Sequence, residues 1–251
     1  ALTNRAIVKA FPFKIDYYEN DEISLSVNAE QLMKFERLQI KPQILDEDDL
    51  WEEVFSNATE TKPNGPEAIA IDFTFPHSEV LFGIPEHADS FALKPTVDEE
   101  PYRLYSLDVD GYETDSRMAL SGSVPVLYGH GNRKTSGIFW HNSADTFVDI
   151  HNTETAQFIS EAGIIDVYIL LGPSPGEAFR QLTKLTATLN LPQLSYLGYH
   201  QSHGNYSTED DVMEIVENFD KNRIPLDSIS LDIEYTDDKK SFTWNEKSFP
   251  E

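Results

Sequence analysis

"SISLDIEYTDD", residues 228–238, decides how this chain is read. The first half is an apolar strand; the second half is acidic, with carboxylates at Asp232, Glu234, Asp237 and Asp238. A period of two through "SISLDIE" puts Ile229, Leu231 and Ile233 on one face. Ser230, Asp232 and Glu234 fall on the other. Burying a lone carboxylate costs several kcal/mol, so an inward-facing Asp232 needs a partner. That partner is either a neighbouring Arg or Lys, or a ligand rich in hydroxyls, since one carboxylate accepts two of them at once.

The residues before it supply the context. "STEDDVMEIVENFDKN" (207–222) has Ser207 or Thr208 as N-cap, then Val212, Ile215, Val216 and Phe219 on one helical face. "SYLGYHQ" (195–201) ahead of it reads as a strand. Strand, helix and strand within about 40 residues form a βαβ unit, whose strands run parallel. In a (β/α)8 barrel the apolar face would lie under the helices and the polar face inward. Asp232 would then sit near the carboxyl end of its strand, where barrel enzymes hold their active sites. Such a barrel takes about 250 residues, far more than follow Ser195, so the chain is expected to be the front part of a larger polypeptide. Upstream, "SPGEAFRQLTKLTATLN" (174–190) opens with Ser174 as N-cap, Pro175 and Glu177, a capping-box start. Phe179, Leu182, Leu185 and Leu189 follow on one face.

The first two-thirds reads as β. "AFPFKIDYY" (10–18), "ISLSV" (23–27) and "IAIDFTF" (69–75) alternate as strands with one buried face. Further strands are expected around "SVPVLY", "SGIFWH" and "AGIIDVYILLG". "DEDDLWEEVFSNATETKPNGPE" (46–67) reads as a loop or a short capped helix. The expected fold is a β-sandwich over 1–172, a connecting helix over 173–194, and the first βαβ unit of a (β/α)8 TIM barrel over 195–251.

Composition narrows the function. A net charge of −25 repels phosphate backbones and anionic headgroups, which argues against nucleic-acid and membrane partners. No apolar run approaches the roughly 20 residues that span a bilayer. The absence of cysteine excludes disulfides, thiolate metal sites and a Cys nucleophile. Sequons at Asn57 and Asn205 would accept glycans in a secretory lumen.

These residues also carry a family resemblance. "LDIEYTDDKKSFTW" (231–244) resembles the second-strand signature of glycoside hydrolase family 31, and "LGYHQSHGNYSTEDDV" (197–212) its first strand and the helix after it. "LWEEVF", "KPNGPEAIAIDFTFP", "FGIPEHADSFALKPT", "YRLYSLDVDGYE", "MALSGSVPVLYGH", "GIFWHNSADTFVDI" and "ISEAGIIDVYILLGPS" resemble, in order, the N-terminal region of one of its α-glucosidases. The resemblance implies a retaining enzyme, without cofactor or metal, that removes terminal α-1,3-linked glucose from N-linked high-mannose glycans in the endoplasmic reticulum lumen. It implies two catalytic aspartates on later barrel strands, and none on this chain. It also implies two partners: the C-terminal remainder of the catalytic subunit, and a non-catalytic β-subunit with a mannose-recognition domain. Asp232 matches the family aspartate that holds sugar hydroxyls in the −1 subsite, and Asp108 in "SLDVDGYE" an acid that leans over the pocket from a sandwich loop.

Two departures stand out. The family usually has Arg-Trp where this chain has His203 and Gly204, and Trp where it has Ser230. Aromatic faces in such sites give apolar contact and exclude water, so their loss weakens sugar binding or opens the pocket. The alternative reading is accordingly a non-hydrolytic carbohydrate-binding protein with a degenerate barrel.

Other motifs point to structure rather than chemistry. "DVDGYETD" (108–115) lacks the second acid and the terminal Glu of a calcium loop. His200 and His203 have no evident third zinc ligand. "GHGNRKTSG" lacks phosphate-loop spacing and reads as a turn. His87, beside Glu86 and Asp89, reads as a packed loop histidine in preference to an acid–base group.

Overall fold

A computed structural model describes residues 4–41, 51–55 and 57–250, which fall into two compact units, Ala1–Ala187 and Thr188–Glu251. The first unit opens with a meander of β1 (Asn4–Lys9), β2 (Lys14–Glu19) and β3 (Glu22–Val27), then the two-residue β4 (Lys34–Phe35). A hairpin of β5 (Glu52–Phe55) and β6 (Ala58–Thr61) precedes β7 (Ile69–Thr74), β8 (Val80–Gly83) and β9 (Tyr102–Leu104). β10 (Val126–His130), β11 (Thr135–Trp140), β12 (Thr146–Ile150), β13 (Thr155–Ser160) and β14 (Val167–Leu170) follow, and α1 (Pro175–Thr186) ends the unit.

These strands make the expected sandwich. One sheet runs β1-β2-β3-β7-β13-β12-β9, with β4 also paired to β7; the other runs β14-β11-β10-β8. All pairings within them are antiparallel. Leu25, Ile71, Phe73 and Phe158 from the first sheet pack with Leu127, Ile138 and Trp140 from the second. The rings of Phe73 and Phe158 meet edge-on at 5.7 Å, and Trp140 lies 5.9 Å from Phe158. The Trp140 indole donates to Ser160 Oγ at 2.9 Å, so burying it leaves no donor unmet.

Several local readings need correcting. Phe11 and Phe13 lie in the turn between β1 and β2, with Phe11 almost fully exposed; the alternation ran straight through a Pro12 hairpin. β7 is buried on both faces, because the 28–32 turn covers its polar side. Asp72, wholly buried, accepts the amides of Glu30 at 2.8 Å and Leu32 at 3.0 Å. The expected loop or helix over 46–67 is in its described part the β5–β6 hairpin, paired from Glu52–Thr61 to Phe55–Ala58; residues 46–50 lie outside the described residues. Cross-strand pairing there overrides the turn-rich composition.

α1 starts as its sequence dictates, with the Glu177 amide on Ser174 Oγ and Pro175 in the first turn. It packs through Ala178, which is buried among Phe82, Val126, Tyr128 and Leu170, and through the first half of the expected face: Leu182 joins that cluster and the Phe179 ring lies 5.0 Å from Tyr128, while Leu185 is half-exposed. Leu189 lies beyond the helix and is fully exposed.

The second unit is a βαβ unit. β15 (His200–Ser202) and β16 (Ser228–Ser230) pair in parallel, Ser202 opposite Ser230, with α2 (Glu209–Lys221) between them in sequence. Thr208 caps α2 in a capping box with Asp211. Both strands are shorter than the sequence suggests. Leu194–Leu197 is a 3-10 turn, and after β16 the chain enters 3-10 turns at Ile233–Tyr235 and Asp237–Lys239. The entry to the pair is fixed by Asp227, whose Oδ2 accepts the Tyr199 amide at 3.1 Å while its own amide donates to the Tyr199 carbonyl. Gly198 is required here: a Cβ would stand 1.8 Å from Asp227 Oδ2.

Candidate functional site

Parallel strands paired in register end together, so their loops leave from the same edge. At the carboxyl edge of β15 and β16 this gathers His203, Gly204, Asn205 and Tyr206 from one loop with Asp232 and Glu234 from the other. The strand does not present Asp232 directly. β16 stops at Ser230, and Asp232 is the residue before the Ile233–Tyr235 turn, with φ −90° and ψ −146°. Ile233 is accordingly half-exposed and not on a packed strand face.

The two acids converge all the same. A Cβ built on Gly204 would lie 3.9 Å from Glu234 Oε1 and 4.0 Å from Asp232 Oδ2, so the backbone of the first loop borders both carboxylates. Asp232 is exposed, and no hydrogen bond or ion pair holds its side chain among the described residues. Glu234 is held: its Oε1 accepts the Asn205 amide at 2.9 Å. That bond is the chief cause that keeps its carboxyl below the usual range; its own backbone amide adds to it, burial opposes, and Lys239 and His203 help. Behind this edge, Tyr199 Oη donates to Gln201 Oε1 at 2.7 Å, and Gln201 Nε2 donates to the buried Tyr206 hydroxyl at 2.9 Å.

Of the sequence-derived residues, Asp232, Ser230 and Asn205 are exposed at this edge. His200 faces other work, with Nδ1 on Ser228 Oγ and Nε2 on the Ser195 carbonyl. Asn57 is exposed at the tip of the β5–β6 hairpin. Asp108 belongs to the first unit, in the irregular stretch after β9, exposed and without a side-chain partner among the described residues. Its loop is tied down by the Leu107 amide on the Leu120 carbonyl at 2.8 Å and the Ser116 amide on Ala88 at 3.1 Å. Among the described residues no three His, Asp or Glu side chains gather as a metal would require.

The frame under the Asp108 loop is a buried polar network. His87 is a packed loop histidine, with Nδ1 on the Ile84 carbonyl at 2.9 Å and Nε2 on the Arg103 carbonyl at 3.0 Å. Burial pushes its pKa down against the pull of those carbonyls and of Asp89. The Asp89 side chain is almost completely buried, pairs with Lys94 and accepts the Tyr102 hydroxyl at 2.7 Å. Burial raises its pKa, but Lys94, Tyr102 and the Ser90 amide outweigh that and hold it below the usual range. Tyr102 is pushed up to about 12 by burial and by Asp89.

Glu234 and Asn205 were not singled out as a pair from the sequence. Glu234 shares its alternation phase with Asp232, which is a local signal. The Asn205 contact depends on the parallel register and has no local signature.

The first unit is a sandwich and the second a parallel βαβ unit with acids at its carboxyl edge, and comparison places both in one family. Residues 2–149 match the glycosyl hydrolase 31 N-terminal galactose mutarotase-like domain, and residues 189–251 match the glycosyl hydrolases family 31 TIM-barrel domain. The chain belongs to glycosyl hydrolase family 31. It is 42% identical to neutral alpha-glucosidase AB of Dictyostelium discoideum, over 97% of this chain and 30% of that protein. It is 40% identical to a probable glucan 1,3-alpha-glucosidase of Arabidopsis thaliana, over 98% of this chain and 29% of that protein. The catalytic subunit in a crystal structure of the ER glucosidase II heterodimeric complex, which also holds the binding domain of the regulatory subunit, superposes with a TM-score of 0.88 at 39% identity. That match covers 98% of this chain and 29% of that one, so the chain spans about a third or less of the proteins it resembles.

Proposed function

We propose that this chain forms the sandwich and the first barrel strands of a retaining α-glucosidase that removes α-1,3-linked glucose from N-linked high-mannose glycans in the endoplasmic reticulum lumen. Asp232 carries the reading. It is an exposed carboxylate without a partner among the described residues, at the carboxyl edge of parallel strands, where a barrel enzyme meets its substrate. Such a group accepts paired hydroxyls of a glucosyl ring. Asp108, on its tethered loop, is the second substrate-binding acid. The nucleophile and the acid/base lie on the part of the protein after residue 251, and the two-carboxylate scheme retains configuration at the anomeric carbon. Similarity to a 1,3-alpha-glucosidase supports the linkage, and similarity to an ER heterodimer's catalytic subunit supports the compartment and a β-subunit partner.

The test is hydrolysis of an α-1,3-glucosyl disaccharide by the full-length enzyme, with the released anomer followed by NMR. First release of α-glucose supports the assignment; first release of β-glucose overturns retention. Gly204 and Ser230 favour a second reading, a carbohydrate-binding protein without hydrolysis. Saturable disaccharide binding with no glucose released would select it.

A further inference from the structure

Glu234 and the turn at Gly204–Tyr206 carry an inference that rests on the carbohydrate reading of Asp232. The two acids are in different situations. Asp232 is free, whereas one oxygen of Glu234 is committed to the Asn205 amide at 2.9 Å, across 29 residues of sequence. The other, Oε2, is buried and has no hydrogen-bond partner among the described residues, so apart from the residue's own backbone amide only Asn205 fixes this carboxylate. Asn205 sits at φ +73°, in the left-handed region that Asn tolerates better than most side chains. Neither a helix nor the strand ladder reaches this turn, because β15 ends at Ser202 and α2 begins at Glu209. Within it, Gly204 leaves open the space that a Cβ would fill, a position about van der Waals distance from both carboxylates. Tyr206 anchors the far end of the turn through Gln201, and the bond that ties its Gly204–Asn205 part to the loop bearing Asp232 is the charge-assisted one, roughly twice as strong as a neutral one.

We propose that Glu234 is a positioning residue: by holding the Asn205 amide it sets the Gly204 turn against Asp232 and so fixes the edge of the pocket that receives the glucosyl ring. Reach, and not charge alone, is what the role requires. Glu234→Gln keeps an oxygen at the same distance; Glu234→Asp keeps the charge but withdraws it by one methylene.

The measurement is the steady-state kinetics of the full-length enzyme on an α-1,3-glucosyl disaccharide, with amide hydrogen exchange at Asn205 as a readout independent of turnover. Glu234→Asp is expected to raise KM about tenfold with kcat within about threefold, and to speed Asn205 exchange. Glu234→Gln is expected to stay within about threefold of the parent in KM, with Asn205 still protected. The reverse ranking of the two variants overturns the proposal, as does faster Asn205 exchange with KM unchanged. Asp232→Ala separates the two levels: unimpaired activity there sinks the carbohydrate reading itself, while the exchange data still judge whether Glu234 holds the turn.

Discussion

The two units solve burial differently. In the first, two antiparallel sheets close on each other, and most buried apolar side chains of the described residues belong to them or to α1. In the second, only Tyr206 and Phe249 among the apolar residues are buried, while Leu191, Leu194 and Phe242 are more than four-fifths exposed. A sandwich supplies both halves of its own core. A parallel pair does not, because its faces are covered by the helices and strands of further repeats. Stability is concentrated where sheets meet, and the candidate chemistry where strands end.

Substitutions can break this contrast. The largest effect is expected from Phe73→Ala, which empties a ring site between Trp140 and Phe158 and costs about 3–5 kcal/mol. Leu194→Ala in the second unit, removing a side chain 84% exposed, is expected to cost less than about 0.5 kcal/mol. Denaturant titration of the pair checks both, and comparable losses would mean that the second unit has a core of its own. Next comes Gly198→Ala, whose Cβ must displace Asp227; a cost of about 1–3 kcal/mol is expected. Hydrogen exchange should show it as lost protection at the Tyr199 and Asp227 amides, with the sandwich amides unchanged.

The smallest expected effect concerns pH and the frame beneath Asp108. The carboxyl of Asp89 is held below its ordinary value of 3.8 in the folded protein. Its contribution is therefore complete above that value and is lost as pH falls through the lower folded one. Stability measured between about pH 3 and about pH 7 should fall less steeply at the acid end in Asp89→Asn than in the parent. An identical slope would show that Asp89 gains nothing from Lys94 and Tyr102.

Much of this architecture was legible locally. Ser174 and Thr208 act as caps, and "ISLSV" and "IAIDFTF" contain strands, because cap chemistry and side-chain alternation are properties of neighbouring residues. β12 and β13 were missed because polar residues occupy buried positions at their ends, Thr146, Thr155 and Ser160, beside the apolar Val148, Ile150, Ala156 and Phe158. Thr146 Oγ1 and Ser160 Oγ bond to each other at 2.6 Å inside the sandwich, which hides both strands from a hydrophobic pattern. β1 was missed for the opposite reason: it is exposed along its whole length and gains order only by pairing with β2. At the candidate site Asp232 was visible, but the early end of β16 was not. A turn that trades strand pairing for 3-10 bonds is decided by residues further along the chain, here through the Thr236 amide on the Ile233 carbonyl at 3.1 Å. The Glu234–Asn205 bond was beyond local reading because it joins two loops that only the parallel register brings together.

The indole of Trp140 has a practical consequence. The chain has three tryptophans: Trp51 and Trp140 are buried in the first unit, and Trp244 is half-exposed in the second, its ring nitrogen donating to the Phe249 carbonyl. A shielded indole emits at shorter wavelength than a wet one, so intrinsic fluorescence already separates the two units. Opening of the sandwich will appear as a red shift, whereas loosening around Trp244 will change intensity with little change in colour. Without any label, the chain reports which of its two parts gives way first.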